Sequence, residues 1–152
     1  KFNLKNQSMN LVITHSEEET ADLAEKFLKE RSPNKQNKPI LLFGDLGSGK
    51  TAFVKGLAKG LGIDNYQVKS PTYTFVREYI HRNGILVHID LYRLEAIDNL
   101  LLEQIEEYDD KKGTLVVIEW ADKLGDNTPD DRSDICFEHI NENQRKITFF
   151  ND

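Results

Sequence analysis

The sequence predicts an α/β fold in three layers, with a central, mixed and mainly parallel sheet between helices. Three observations lead there. The wholly apolar run "ILLF" at 40–43 and the run "TLVVIEW" at 114–120 have the length and density of strands buried on both faces, as at the middle of parallel sheets. A glycine-rich loop, "GDLGSGKT" at 44–51, follows the first of them directly. Behind that loop Phe53, Val54, Leu57, Ala58 and Leu61 recur at helical spacing, and Gly60 and Gly62 mark the helix end.

The other elements fall in order around this strand, loop and helix. Residues 1–8, "KFNLKNQS", read as an N-terminal extension or expression remnant, and residues 9–152 as a single domain. Leu11, Val12 and Ile13 predict a short first strand. "SEEE" then offers a capping box, with Ser16 as N-cap and Glu19 three positions on, opening a helix that carries Ala21, Ala24, Phe27 and Leu28 on one face. "RSPNKQNKP" has two prolines and no apolar residue, which makes it a loop. "TYTFVREYI" and "ILVHIDL" flank Asn83-Gly84, a tight-turn signal, and predict an antiparallel hairpin. A helix from about Glu95 to Tyr108 follows, with Ile97, Leu101, Ile105 and Tyr108 inward and an acidic outer face of Asp98, Glu103, Glu106 and Glu107. "DICFEHI" and "RKITFF", joined by the polar "NENQ", predict a terminal strand pair.

Composition narrows the class. A chain of 152 residues, 38% of them hydrophobic, has one domain's length and can bury a core without staples. Its single cysteine, Cys136, forms no internal disulfide, and no apolar stretch approaches the ~20 residues that cross a bilayer, so a cytoplasmic protein without membrane association is expected. A formal net charge of -6 repels nucleic acid. Any RNA would be held by a partner.

Gly44, Gly49, Lys50 and Thr51 satisfy G-x-x-x-x-G-K-[ST], between a strand and a helix as that motif demands. Gly47 and Gly49 let the backbone curl round an anion with its N–H groups inward, where the helix dipole also favours negative charge. Lys50 is placed to reach β and γ phosphates, and the Thr51 hydroxyl to hold Mg²⁺, a hard cation that prefers oxygen. The fold expected is therefore P-loop NTPase-like. Mg²⁺ also needs a carboxylate from a neighbouring strand end. Asp90 ends "ILVHID" and Glu119 ends "LVVIE", and spacing alone does not divide metal binding and water activation between them. Thr72 in "SPTYT" stands twenty-one residues after Thr51, a separation suited to a γ-phosphate sensor and equally to a Ser-Pro turn opening a strand. His88, two residues before Asp90 on the same face, has no histidine or cysteine at ligand spacing, so zinc is not expected. Trp120 suits either stacking on a base or ribose or a place in the core.

"GDLGSGKT", "SPTYTF", "HIDLYRL" and "IEWADKL", in this order between Gly44 and Leu124, resemble the TsaE (YjeE) family, the small bacterial ATPases of threonylcarbamoyladenosine synthesis at tRNA position 37 of ANN-decoding tRNAs. The resemblance implies ATP and Mg²⁺ as cofactors, slow intrinsic hydrolysis, and stimulation by TsaD and TsaB partners, with tRNA met indirectly through that complex. It implies that Leu46, Gly47, Ser48, Gly49, Lys50 and Thr51 form the phosphate loop, that Thr51 and Glu119 serve Mg²⁺, and that Asp90 is needed for hydrolysis. It also assigns Ser70 to Thr72 as the switch-like segment and Trp120 as the residue beside the nucleotide, and places adenine contacts partly around Thr14 to Thr20. Tyr73 departs from the phenylalanine of many relatives and keeps its aromatic character. A negative surface would suit a basic partner groove.

Two other classes share the loop. A small-molecule or nucleoside kinase needs an arginine-bearing lid, and Arg77, Arg82 and Arg93 lie in or near strands instead. A GTP-dependent switch carries N-K-x-D downstream of the loop, whereas the two "NK" pairs here precede it and lack the aspartate.

Overall fold

In the computed structural model, which describes residues 10–64, Val68 and 75–150, seven strands form one sheet. They are β1 (Asn10–Thr14), β2 (Ile40–Gly44), β3 (Val76–His81), β4 (Gly84–Asp90), β5 (Thr114–Glu119), β6 (Ser133–His139) and β7 (Arg145–Phe150). The helices are α1 (Glu17–Glu30), α2 (Lys50–Gly60) and α3 (Asn99–Asp110). Strand order is β1-β7-β6-β2-β5-β4-β3. β2 lies between β5 and β6, parallel to both, and β4 is parallel to β5. Only β3 and β7 run against the rest, each as an antiparallel partner. The expected mixed, mainly parallel sheet is present.

Alternation along β2 builds the layers. Ile40 and Leu42 point to the side of α1 and α2, where they meet Ala24, Phe27, Phe53, Val54 and Leu57. Leu41 points to the other side, with Val87, Ile89, Ile118 and Ile105 of α3. All three β2 residues are fully buried, as a strand covered on both faces requires. Phe53 packs edge-on against Phe137 at 5.5 Å between ring centroids, and Phe27 lies 5.1 Å from Phe149. Leu11 and Ile13 of β1 remain about half exposed.

The helix ends follow the chemistry of their caps. Ser16 accepts the Glu19 N–H at 3.0 Å, as the capping box predicts. The reciprocal bond shifts by one residue: the Glu19 carboxylate accepts from the His15 N–H at 2.6 Å. The third helix begins at Asn99 rather than near Glu95, because Asp98 is its N-cap and accepts the Leu101 N–H at 2.8 Å. Asp98 therefore leaves the acidic outer face, which keeps the exposed Glu103, Glu106 and Glu107. α1 and α2 cross so closely that a Cβ added at Gly56 would sit 2.0 Å from the Ala21 carbonyl oxygen.

The predicted hairpin is β3–β4, with His81 paired to Gly84, and the terminal pair is β6–β7. Residues 1–8, Ser70, Thr72 and Tyr73 lie outside the described residues. Among the described residues no helix is long and apolar enough to cross a membrane.

Candidate functional site

Topology gathers the candidate side chains at one sheet edge. β2, β4 and β5 end there with Gly44, Asp90 and Glu119, and Asp90 is in register with Glu119. β7 runs the other way, so its first residue, Arg145, arrives at the same edge between Thr14 and His139. This is the carboxyl edge where ligands of open α/β sheets bind. A crevice of about 460 Å³ opens there, lined by Leu46, Gly47, Gly49, Lys50, Thr51 and Ala52 on one side and by Asp90, Tyr92, Glu119 and Trp120 on the other. Glu17, Arg93 and Arg145 lie at its wall as well, so Arg93, expected only in or near a strand, also reaches the site.

The glycine loop takes the conformation its residues allow. Gly47 and Gly49 have φ of 71° and 107°, the left-handed region that residues with a Cβ avoid. A Cβ on Gly49 would also meet the Arg145 stem at 2.8 Å. Gly49 caps α2 with no side chain, and no acidic residue stands in that helix's first turn. Ser16 and Asp98 each accept one orphan N–H, of α1 and α3, whereas α2 has no side-chain cap and its first N–H groups suit an external acceptor.

Lys50 fills part of the space an anion would take. Its ammonium donates to the carbonyl oxygens of Gly44 at 2.6 Å and Asp45 at 2.7 Å, and it stands 4.5 Å from the centre of the Trp120 ring. Burial pushes its pKa below the ordinary lysine value, against the pull of the Glu119, Asp90, Asp45 and Asp122 carboxylates. A phosphate would favour the charged form. Ser48 is buried with its hydroxyl 3.3 Å from Lys50 Nζ, so its side chain serves the loop's interior, and Leu46 stands exposed at the mouth.

Thr51 donates to Glu119 Oε1 at 3.2 Å, which joins the helix start to the tip of β5. Glu119 is 2% exposed, and its other oxygen is held by His88. A hydroxyl and a carboxylate are oxygen donors of the kind Mg²⁺ takes. Among the described residues no three histidine, cysteine or carboxylate groups converge as a metal cage. A cation held here would take its remaining ligands from phosphate and water, the habit of Mg²⁺, so the donor set fits that ion. Asp90 is buried, accepts the Tyr92 N–H at 2.9 Å and donates its own N–H to the Phe75 carbonyl.

Trp120 meets both descriptions open from sequence. It is half-buried against the α3-side core, and its ring faces the crevice, 5.0 Å from Tyr92. Its backbone is left-handed, with φ of 56°, a strained state for a bulky residue. Lys123 holds the segment after β4 by donating to the carbonyls of Tyr92 and Leu94 at 2.5 and 2.7 Å.

Arg145 is the site residue that sequence reasoning missed. It is 8% exposed, and its Nε and Nη1 are buried without a hydrogen-bond partner among the described residues. Only a buried-strand sequence that opens on arginine, "RKITFF", hinted at it. Of the segment expected to contact adenine, Glu17 lines the crevice, while Thr14 and Thr20 bond each other at 2.8 Å.

The family model described as "Threonylcarbamoyl adenosine biosynthesis protein TsaE" matches residues 14–147. The chain is 40% identical to the tRNA threonylcarbamoyladenosine biosynthesis protein TsaE of Bacillus subtilis over 72% of this chain and 67% of that one. It is 38% identical to the Aquifex aeolicus protein of the same name over 91% and 94% of the two chains. A crystal structure of YdiB from Bacillus subtilis superposes with a TM-score of 0.76 at 31% identity, covering 95% of this chain and 86% of that one. With a family match spanning nearly its whole described length, the chain belongs to the TsaE family of threonylcarbamoyl adenosine biosynthesis proteins.

Proposed function

We propose that the chain binds ATP with Mg²⁺ and hydrolyses it to ADP and phosphate, acting with TsaB and TsaD proteins in threonylcarbamoyladenosine modification at position 37 of ANN-decoding tRNAs. The observation that carries the reading is the uncapped start of α2, with the Lys50 ammonium folded over it and the Thr51–Glu119 pair beside it.

Each residue has a part that follows from its place. The amides of Gly47 to Thr51 grip the phosphates at the positive end of α2. Lys50 exchanges its bonds to Gly44 and Asp45 for the β and γ phosphates and stabilises charge that develops during transfer. Thr51 and Glu119 hold the cation, because they are the pair already in contact. Mg²⁺ would supply charge neutralisation between the phosphates and orient them for in-line attack. Asp90, beside Glu119 but turned to the Tyr92 side, orients the attacking water and accepts its proton. Thr72 senses the γ-phosphate; the strand it precedes begins at the site edge, where Phe75 bonds Asp90. Arg145 and Glu17 form the wall for the nucleoside end, and Trp120 stacks beside the phosphates.

Docking through partners accords with the chain's net charge of -6, and a cytoplasmic place accords with a partner complex that modifies tRNA. ATP turnover measured with and without a purified TsaB–TsaD pair tests the reading. Slow turnover alone and several-fold stimulation by the pair are expected, and absence of turnover in both states would contradict it. Of the two arginines that line the crevice, Arg93 stands in the turn after β4 and Arg145 opens β7, so among the described residues neither rides a lid of the kind a kinase uses.

A further inference from the structure

We propose that His88 is a positioning residue that locks the Glu119 carboxylate and thereby sets the site's affinity for Mg²⁺, an inference that rests on the Mg²⁺ reading above. His88 is fully buried in the middle of β4, on the face shared with Leu86 and with Val117, its cross-strand neighbour. Leu86 and Val117 are aliphatic, while on the other side Arg77 of β3 stands opposite in register with no hydrogen bond from its Nε to the ring; an aliphatic side chain at 88 would avoid the desolvation cost of an imidazole. What the ring adds is one polar contact: Nε2 stands 2.5 Å from Glu119 Oε2. Nδ1 has no partner among the described residues, and a carboxylate oxygen only accepts, so the ring's hydrogen on Nε2 is the one donated to Glu119.

The division of the Glu119 oxygens makes this contact consequential. Oε2 belongs to His88 and Oε1 faces Thr51 at 3.2 Å. With Oε2 anchored, the carboxylate is held in the orientation that presents Oε1 toward the Thr51 hydroxyl. Without the anchor, the 3.2 Å bond from Thr51 alone orders the carboxylate, and that is the bond a cation between the two oxygens displaces, so the carboxylate must be ordered at the moment of binding. Partners of this kind, one bond removed from a metal, are typically worth 10- to 100-fold in metal affinity.

The test compares His88→Gln, whose amide Nε2 can reach Glu119, with His88→Met, of similar shape and without a donor. Trp120 is the chain's only tryptophan and lines the crevice, so its fluorescence reports ADP binding. ADP is titrated in EDTA and then at rising Mg²⁺. The expected result is unchanged ADP affinity in EDTA for both variants, a Mg²⁺ half-saturation raised about tenfold or more in His88→Met, and a value within about threefold of the parent in His88→Gln. A His88→Met protein with the parent's Mg²⁺ dependence, or a folded His88→Gln protein as weak as His88→Met, overturns the proposal. If the parent itself shows no effect of Mg²⁺ on ADP binding, the Mg²⁺ reading fails and takes this inference with it. Nitrogen NMR of the unaltered protein decides independently of folding in the variants: a His88 ring protonated at Nε2 and bare at Nδ1 is expected, and the opposite tautomer overturns the proposal.

Discussion

Replacing Arg145 by methionine is expected to raise the stability of the nucleotide-free protein while weakening its hold on ATP. The arginine is 8% exposed, and two of its guanidinium nitrogens, Nε and Nη1, are buried without acceptors among the described residues. An unsatisfied buried donor costs about 1–3 kcal/mol, so the low end for two gives about 2 kcal/mol recovered by Arg145→Met, which keeps much of the stem against Gly49. For a chain of this length each kcal/mol moves Tm by about 2–4 °C, which predicts a rise of about 4–8 °C. With nucleotide present the sign reverses. A charge-assisted hydrogen bond to the ligand is worth about 1.5–3 kcal/mol, so ATP affinity should fall about 10- to 150-fold. Thermal melts without ligand and calorimetric titration with ATP read the two effects. A lower ligand-free Tm in the variant, or ATP affinity within twofold of the parent, would refute the reasoning.

Other outcomes follow from the same geometry. Lys50→Met should lower ATP affinity tenfold or more while the ligand-free fold persists, read by the same titration, because the ammonium's present bonds are all within its own loop. Asp90→Asn should leave ATP binding near normal and slow hydrolysis about 10²-fold or more, measured as phosphate release under single-turnover conditions. Gly56→Ala sets about 1 kcal/mol of improved helix propensity against a 2.0 Å clash with the Ala21 carbonyl, and overpacking of that size costs about 1–3 kcal/mol or more, so a lower Tm is expected. Burial pushes the Cys136 thiol up to about 12. Between the unfolded thiol's value and that one the unfolded chain is ionised while the folded chain keeps its proton, so this group lowers stability as pH rises through the window. Cys136→Ala should flatten that alkaline loss in denaturant titrations, and alkylation of the native thiol at pH 8 should be far slower than that of the unfolded chain.

Local chemistry made much of the fold legible. "ILLF" reads as a doubly covered strand because no residue in it tolerates water, and it lies at the sheet centre with α2 directly behind its loop. Asn83-Gly84 and Ser16 act through their own backbone neighbourhood, so a hairpin and a helix start could be placed from a few residues. Asp98 shows the limit of that method. It fits an acidic helix face by spacing, but its short carboxylate competes better as a cap, and the helix starts where that bond forms. Arg145 was illegible for a different reason. It stands ninety-five residues after Lys50, and only the antiparallel return of β7 brings it beside Gly49. The link from His88 to Glu119 likewise depends on the parallel register of β4 and β5, which no local pattern specifies.

The central claim is that the amides at the start of α2 and the Thr51–Glu119 pair together hold a nucleotide triphosphate with its magnesium. A crystal structure with a non-hydrolysable ATP analogue and Mg²⁺ tests it most directly. The β and γ phosphates are expected on the loop between Gly47 and Thr51, with Lys50 Nζ turned from Gly44 to the phosphates and the cation at Thr51 on the Glu119 side. An analogue bound elsewhere, or a loop that stays closed on Lys50 at saturating ligand, would contradict it.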